Sequence, residues 1–306
     1  MSTAPTLDPY WSRLADRWEA ADRQDPTLWP GHTGPLSNDE LQAYAEQGFR
    51  YSPGLFSSDE VVSWRTEAER LIAALEGTKR GVIREPRSNA VRSIFRIHRI
   101  SPIFQRVCAD LRISDIARQM LGSDVYLHQS RINFKPGFDG REFFWHSDFE
   151  TWHVEDGMPR MRAVSVSISL TENTEFNGPL MVVPGSHKTF IRCQGETPEN
   201  HFEQSLKQQE YGVPSREALE MLIERHEGLH AVKGPAGSAL FFECNLMHGS
   251  AGNLSPYPRT NLFFVFNSVE NAVQDPYGQQ PPRPEYLAER DVIPVGDLSE
   301  HTELYV

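Results

Sequence analysis

The segment FFWHSDFETWH carries a histidine and a carboxylate two residues apart, at His146 and Asp148. Residues two apart on a β-strand point to the same face, so both side chains could reach one metal ion. A third ligand must come from elsewhere, and His248 follows the apolar run ALFFE about one hundred residues later. Two histidines and one carboxylate leave coordination positions open, which suits an Fe(II) ion that must bind a cosubstrate and O2 together. The pattern therefore predicts a non-haem iron centre.

Arg259 lies eleven residues after His248 and is a candidate anchor for a carboxylate. The cosubstrate 2-oxoglutarate carries such a group at the end remote from its keto acid. A guanidinium binds carboxylates bidentately and does not lose its charge. Ser250 could add a hydroxyl to the same carboxylate, and Asn133 and Lys135 alternate on an earlier strand from which either could reach the cosubstrate. These positions predict a 2-oxoglutarate site beside the iron.

Aromatic side chains are concentrated around these motifs. Alternation along each strand sets Phe242 against Phe241 and Phe264 against Phe263, so the members of each pair point to opposite faces. Most of the rings must belong to the core, but some should line the pocket, where ring faces suit a small cationic or delocalised substrate. The set comprises Phe143, Phe144, Trp145, Phe149, Trp152, Phe241, Phe242, Phe263, Phe264 and Phe266.

Charge and composition disfavour several functions. The net charge of -12 and the pI of about 5.4 argue against nucleic-acid binding, which relies on neutralising phosphates. No apolar run approaches the roughly 20 residues of a membrane span, and the N-terminus lacks the basic and apolar regions of a signal peptide. Cys108, Cys193 and Cys244 are too far apart to indicate a disulfide framework or a zinc–thiolate site. We therefore expect a cytoplasmic protein.

The N-terminal region, about residues 1–80, has the spacing of helices. Apolar residues recur at helical intervals from Leu7 to Arg23, and SNDELQAYAEQG is bounded by cap candidates over 37–48. The next predicted helix, SSDEVVSWRTEAERLIAAL, opens at Ser57 or Ser58. Its predicted apolar stripe comprises Val62, Leu71, Ile72 and Leu75.

The middle of the chain changes to strand-like patterns. Its runs are short, rich in β-branched or aromatic residues, and bounded by Gly, Pro or Asn, as in a barrel or sandwich. The runs are SIFRIHRI, DVYLHQSRINFK, AVSVSISL, PLMVVP, GSALFFE and NLFFVFNSV. The polar insertion from Phe190 to His226 is predicted to be helical in part, and the tail, about 275–306, to be an irregular surface wrap. The whole chain, 1–306, is predicted to be one domain, mainly β, with helices around a β-barrel.

A longer segment carries a family resemblance. From His146 to Lys188 the sequence HSDFETWHVEDGMPRMRAVSVSISLTENTEFNGPLMVVPGSHK resembles the signature segment of ectoine hydroxylases. These enzymes belong to the phytanoyl-CoA dioxygenase-like group of 2-oxoglutarate oxygenases. The likeness is unbroken through this segment, and the strand of Gln129 and the stretch from His248 to Arg259 fit it too. It covers roughly residues 40–270 and is far more specific than the HxD…H spacing.

The resemblance implies a double-stranded β-helix (jelly-roll, cupin-like) core with helical additions, and a homodimer. It implies hydroxylation of ectoine to 5-hydroxyectoine with Fe(II), O2 and 2-oxoglutarate, giving succinate and CO2. By motif position it assigns the iron to His146, Asp148 and His248, and the 2-oxoglutarate to Asn133, Lys135, Phe143, Ser250 and Arg259. It places ectoine near Gln129, Trp152, Phe242 and Phe263. Aromatic faces and an amide suit ectoine, which is a small zwitterion with a cyclic amidinium and a carboxylate.

Other functions fit the same motifs less well. An acyl-CoA substrate would favour a basic entrance, and the sequence shows no basic cluster around the motif; an amino acid is a further alternative substrate. A halogenase is disfavoured because Asp148 fills the position that a halide would need. A cupin-like protein that binds metal without turnover would have no use for the carboxylate anchor at Arg259.

Overall fold

The computed structural model describes residues 8–198, 211–226, 228–278 and 280–298. Within them, the strands, numbered in chain order, form two antiparallel sheets and a two-stranded ribbon. The larger sheet contains, in spatial order, β2 (Phe49–Ser52), β11 (Ala239–Glu243), β7 (Ala163–Ser169), β13 (Arg259–Ser268), β5 (Val125–Lys135), β4 (Val91–Phe95) and β3 (Val82–Arg84). The smaller sheet contains β10 (His230–Val232), β8 (Leu180–Val182), β12 (His248–Ser250) and β6 (Phe143–His146). The ribbon pairs β1 (Glu19–Asp22) with β9 (Thr189–Arg192).

An apolar cluster joins the two sheets. Leu180 and Val182 from the smaller sheet pack in one cluster with Phe242 and Phe263 from the larger sheet. The neighbouring rings Phe241 and Phe264 belong instead to a second cluster on the other face of the larger sheet. This alternation confirms the strand assignments and places one face of β11 and β13 inside the barrel.

The helices are α1 (Asn38–Gln47), α2 (Ser58–Ala74), α3 (Ile97–Ile100), α4 (Pro102–Ala109), α5 (Leu111–Leu121), α6 (Asp148–Thr151) and α7 (Arg216–Arg225). Side chains from α2 and α5, including Leu71 and Ile113, pack in the cluster on the outer face of the larger sheet. Ser37 and Ser57 form capping boxes at α1 and α2, and Gly48 ends α1 with a φ of 79°. The mainly β class with helical additions is therefore confirmed.

The first part of the predicted helical region is not helical. The described part of the stretch from Leu7 to Arg23 runs irregularly and ends in β1, which pairs with β9. Tertiary contacts override the helical spacing here, because Tyr10 is fully buried in a cluster and Arg13 is buried among acidic side chains. The segment is a strap along the body of the protein.

The stripe predicted for α2 is correct at Leu71 and Leu75 but wrong at Val62, which is 59% exposed. Nine residues separate Val62 from Leu71. At about 3.6 residues per turn, this spacing puts the two side chains on opposite sides of the helix. The buried stripe instead begins at Val61, which is 5% exposed, and continues through Trp64.

SIFRIHRI is a strand only in its first half. The strand β4 ends at Phe95, Arg96 takes a left-handed conformation with a φ of 58°, and α3 follows. The insertion from Phe190 to His226 contains α7, as predicted in part, although residues 199–210 lie outside the described residues. In the described parts of the chain, no helix is both long enough and apolar enough to cross a membrane.

In the described part of the C-terminal tail, 275–278 and 280–298, the only helix or strand is a short 3-10 turn at Val295–Asp297, but this segment is not merely a surface wrap. Leu287, Ala288 and Glu289 are almost completely buried. Glu289 forms ion pairs with Arg96 and Arg99 at the end of β4 and in α3. The tail therefore contributes to the interior of the fold.

The corrected stripe of α2 predicts a difference between two adjacent valines. Val61→Ala should lower the free energy of unfolding by about 1.5–2.5 kcal/mol, because it removes two buried methyl groups and leaves a small cavity. Val62→Ala, the matched control on the solvent face, should change it by less than about 0.5 kcal/mol. Urea denaturation of both variants measures the difference, and equal effects would contradict the register described here.

Candidate metal centre

The two predicted histidine ligands stand opposite each other on neighbouring strands. His146 ends β6 and pairs in register with His248, the first residue of β12. Their ring centroids are 4.3 Å apart. The expectation that Asp148 shares the strand of His146 is wrong. Ser147 ends the extended backbone, accepts a hydrogen bond from the Glu150 N–H at 3.3 Å, and caps α6, which begins at Asp148.

The three side chains nevertheless converge. Asp148 Oδ1 lies 3.6 Å from His146 Nε2 and 3.9 Å from His248 Nε2, and the ligand atoms of the three residues lie within 4.8 Å of one another. His146 Nδ1 donates to the Phe144 carbonyl at 2.7 Å, and His248 Nδ1 donates to the Leu246 carbonyl at 2.9 Å. Because Nδ1 carries the hydrogen in both rings, each Nε2 keeps its lone pair for a metal.

The charge state of the triad also suits a divalent metal, which needs deprotonated ligands. Burial, with a contribution from His146, lowers the pKa of His248 to about 4, so this ring is neutral at physiological pH. Burial opposes ionisation of Asp148, but His248, His146 and Arg131 together hold the pKa of its carboxyl well below the usual range. Ser165 Oγ steadies the same carboxylate by donating to Oδ2 at 3.2 Å. Two imidazoles and one carboxylate fit Fe(II).

A cavity bounded by residues of both sheets opens onto this triad. Of the residues predicted to bind 2-oxoglutarate, Asn133, Phe143, Ser250 and Arg259 line it. Lys135 is buried and donates from Nζ to Ser250 Oγ at 2.7 Å. The predicted cosubstrate residues are thus brought together at one end of the strand pair β5 and β13, where Arg259 and Lys135 are in register.

Arg259 and Lys135 form no ion pair with a described carboxylate. Arg259 is 2% exposed, and no described residue accepts a hydrogen bond from its Nη1. Burial, followed by repulsion from Arg92, lowers its pKa to about 10, and it stays charged at neutral pH. Burial, with the nearby Arg259 and Arg92, lowers the pKa of Lys135 to about 5. A buried charged arginine without a counter-ion is costly, so this end of the cavity is suited to an anion.

The residues predicted to bind the substrate are not all equivalent. Gln129, Trp152 and Phe263 line the cavity, whereas Phe242 is fully buried and does not. The Phe242 ring packs edge-on against His248, with ring centroids 5.0 Å apart. Phe242 therefore supports a metal ligand from behind. Gln129 donates from its amide to the carbonyl of Leu287 at 2.6 Å, which ties the cavity wall to the C-terminal tail.

Several lining residues were missed by the sequence reasoning, namely Arg92, Arg131, Thr151, Glu155 and Arg283. Strand alternation from Gln129 to Asn133 was a signal for Arg131, and helical spacing after Asp148 would have indicated Thr151 and Glu155. Nothing local in the sequence pointed to Arg283 in the tail. The linear sequence shows no basic cluster around the motif. The fold nevertheless brings arginines from distant segments to the cavity wall.

Comparisons with known proteins agree with this geometry. Residues 44–261 match the sequence profile of the family described as Phytanoyl-CoA dioxygenase (PhyH). The chain is 51% identical over 288 residues to a protein named ectoine dioxygenase from Stutzerimonas stutzeri (strain A1501), covering 93% of this chain and 95% of that protein. The crystal structure of EctD from S. alaskensis with 2-oxoglutarate and 5-hydroxyectoine is 45% identical, with a TM-score of 0.85 and coverage of 97% and 98%. The structure of EctD with bound Fe gives 45% identity, a TM-score of 0.82 and coverage of 93% and 95%.

The triad predicts a loss of metal binding without a loss of fold. His146→Ala, Asp148→Ala and His248→Ala should each reduce the Fe(II) content of the purified protein by tenfold or more, since each removes one of three protein ligands. His230→Ala, on β10 of the same sheet, is a control that should leave the iron content unchanged. Metal analysis and circular dichroism measure the two properties, and wild-type iron content in any triad variant would contradict the assignment.

Proposed function

The chain belongs to the phytanoyl-CoA dioxygenase family, and we propose that it hydroxylates ectoine to 5-hydroxyectoine. It is a 2-oxoglutarate-dependent dioxygenase that requires Fe(II), consumes O2 and releases succinate and CO2. The observation that carries the proposal is the near full-length similarity to ectoine dioxygenases. The cavity supports it, because a His–Asp–His triad and an uncompensated buried arginine face the same space.

His146, Asp148 and His248 hold the iron in this proposal. When bound, Fe(II) supplies the activation of O2, a reaction that protein side chains do not perform. The protein fixes the two rings through the carbonyl partners of Nδ1 and fixes the carboxylate through Ser165. The packing of Phe242 against His248 excludes water from that side of the imidazole ring.

The cosubstrate end of the cavity supplies charge and shape for 2-oxoglutarate. Arg259 and Ser250 bind its distal carboxylate, and Lys135 supports Ser250 from behind. Phe143 forms a wall whose ring is held 3.9 Å from the guanidinium of Arg92. Asn133 is oriented by a hydrogen bond from Ser93 Oγ at 2.8 Å. Anchoring the distal end in this way would direct the keto acid end toward the side chains of His146, Asp148 and His248.

The substrate end carries Gln129, Trp152 and Phe263, with Phe242 acting through His248. Trp152 and Phe263 belong to two different apolar clusters, so they form separate walls of the cavity. Aromatic faces attract a delocalised cation such as the amidinium of ectoine. Arg131 lies with its guanidinium carbon 5.0 Å from the Phe263 ring centroid and provides a positive charge for the substrate carboxylate.

We further propose that residues 1–306 form one catalytic domain. Contacts from both chain ends support this, because Arg13 and Arg283 each pair with an acidic side chain in the segment that follows Asp148. The resemblance to ectoine hydroxylases supports a homodimer. The enzyme is proposed to act in the cytoplasm, where its three buried free cysteines stay reduced.

Product analysis tests the proposed function. The protein, reconstituted anaerobically with Fe(II) and then given 2-oxoglutarate and O2, should form succinate and 5-hydroxyectoine in equal amounts when ectoine is present. Parallel reactions with an amino acid or an acyl-CoA should show only slow, uncoupled succinate formation. Coupled hydroxylation of one of these compounds, with none of ectoine, would overturn the substrate assignment and leave the iron chemistry intact.

The proposed anchor predicts a specific change in cosubstrate use. Arg259→Ala should raise the KM for 2-oxoglutarate by roughly 10- to 150-fold, because a charge-assisted bidentate contact contributes about 1.5–3 kcal/mol. Arg259→Lys, which keeps the charge without the planar fork, should lie between this variant and the wild type. Iron content should not change. An unaltered KM in Arg259→Ala would move the anchor to Lys135.

The lowered pKa of Lys135 predicts proton uptake on cosubstrate binding. The amine has a pKa of about 5 in the cofactor-free protein and is neutral near pH 7. A bound carboxylate favours the charged form and raises the pKa, so binding of 2-oxoglutarate should take up as much as one proton near neutral pH. Calorimetry in buffers of different ionisation enthalpy measures this number. Lys135→Met should abolish the uptake, and equal uptake in both proteins would contradict the prediction.

A further inference from the structure

Glu155 is a carboxylate on the cavity wall to which the roles proposed above assign no task. It belongs to the π-helical turn Trp152–Asp156 that continues α6. Thr151, Trp152 and Glu155 follow Asp148 by three, four and seven residues, which places them on one face of a helix. All four line the cavity. The segment that provides a metal ligand therefore also presents an acidic group to the substrate space.

Arg13, from the N-terminal strap, holds this carboxylate from behind. Its guanidinium binds both oxygens of Glu150, with Nε at 3.0 Å from Oε1 and Nη2 at 2.6 Å from Oε2, and its Nη1 donates to Glu155 Oε1 at 2.6 Å. The charges of the three side chains sum to one negative charge. Glu150 does not line the cavity, so this excess charge reaches the cavity through Glu155.

The second oxygen of Glu155 is available to a ligand. No described residue donates a hydrogen bond to Oε2. Arg283 Nε lies 3.9 Å away, but the guanidinium of Arg283 makes closer bonds to Asp156, at 2.7 Å and 2.6 Å. Because the Arg283–Asp156 pair is neutral in sum, it leaves the negative charge of Glu155 in place.

The opposite charge lies elsewhere on the cavity wall. Arg131 is buried on β5, where its Nη1 donates to the neutral amide oxygen of Gln129 and no described carboxylate forms an ion pair with it. The cavity thus presents a guanidinium without an ion-pair partner among the described residues and an excess carboxylate. A zwitterion with a delocalised cation and a carboxylate is complementary to this arrangement.

We infer that Glu155 binds the cationic ring of the substrate and that Arg13 is the residue that positions it. The inference rests on the proposed function, because it assigns the amidinium of ectoine to Glu155. The N–H groups of the amidinium donate to Oε2 while Trp152 covers a ring face. A charged hydrogen bond of this kind favours a ligand with a cationic ring over one with a neutral ring. An aromatic wall alone would distinguish the two ligands less strongly.

Two isosteric variants separate this role from a structural one. Glu155→Gln and Glu150→Gln each remove one negative charge from the same guanidinium, but only Glu155 faces the cavity. Calorimetry on the anaerobic Fe(II)–2-oxoglutarate enzyme should measure binding of ectoine and of 6-oxopiperidine-2-carboxylate, a six-membered lactam that keeps the carboxylate and has a neutral ring. Thermal unfolding should be recorded for all proteins.

The expected result is that Glu155→Gln weakens ectoine binding by tenfold or more and changes lactam binding by less than threefold. Glu150→Gln changes the same charge sum but leaves the Glu155 carboxylate facing the cavity, so it should weaken ectoine binding by less than threefold while lowering the unfolding temperature. Unchanged ectoine binding in Glu155→Gln would overturn the inference, as would equal weakening by both variants or loss of folding in Glu155→Gln alone. A wild-type enzyme that does not hydroxylate ectoine would instead defeat the proposed function.

Discussion

Four acidic side chains lie buried within residues 148–156, and the fold depends on how their charge is compensated. Asp148, Glu150, Glu155 and Asp156 are each at most 6% exposed. A buried carboxylate without a partner costs several kcal/mol, so cations must reach this segment from elsewhere. Arg13 comes from the N-terminal strap and Arg283 from the C-terminal tail. Because the buried carboxylates need these partners, the segments that carry Arg13 and Arg283 are held against the catalytic core. Neither arginine pairs with Asp148, which is therefore free to bind the metal.

The cosubstrate region has the opposite imbalance. Arg259 and Lys135 are buried side by side without an ion-pair partner among the described residues, and burial lowers the pKa of each. This costs stability in the unliganded protein, and an incoming dicarboxylate relieves the cost. The buried positive charge that destabilises the protein is thus the same charge that binds 2-oxoglutarate. The low dielectric of the protein interior makes a buried positive charge destabilising, and it also makes the contact of that charge with the cosubstrate carboxylate strong.

The π-helical turn Trp152–Asp156 is the part of the acidic segment that also contributes to the cavity wall. Such turns are rare and are found mostly at functional sites. Here the turn lets the adjacent residues Glu155 and Asp156 pair with different arginines, Arg13 and Arg283. Trp152 in the same turn is buried yet lines the cavity. One short segment therefore supplies a metal ligand, an aromatic wall and an acidic group, and errors in its position would affect all three.

The sequence by itself predicted His146, Asp148 and His248 as a set, the central strands β5, β7, β11 and β13, and the places where α1 and α2 begin. These features depend on residue type and on spacing along one element, which a sequence displays directly. Tertiary structure alone decided that the N-terminal strap is not helical, that Asp148 begins a helix, and that Phe242 lies behind His248. It also gathered Arg131, Glu155 and Arg283 at the cavity. The physical reason is that burial, cross-strand register and charge compensation join residues more than one hundred positions apart, as in the pairing of Arg13 with Glu150, and no local pattern encodes such a partner.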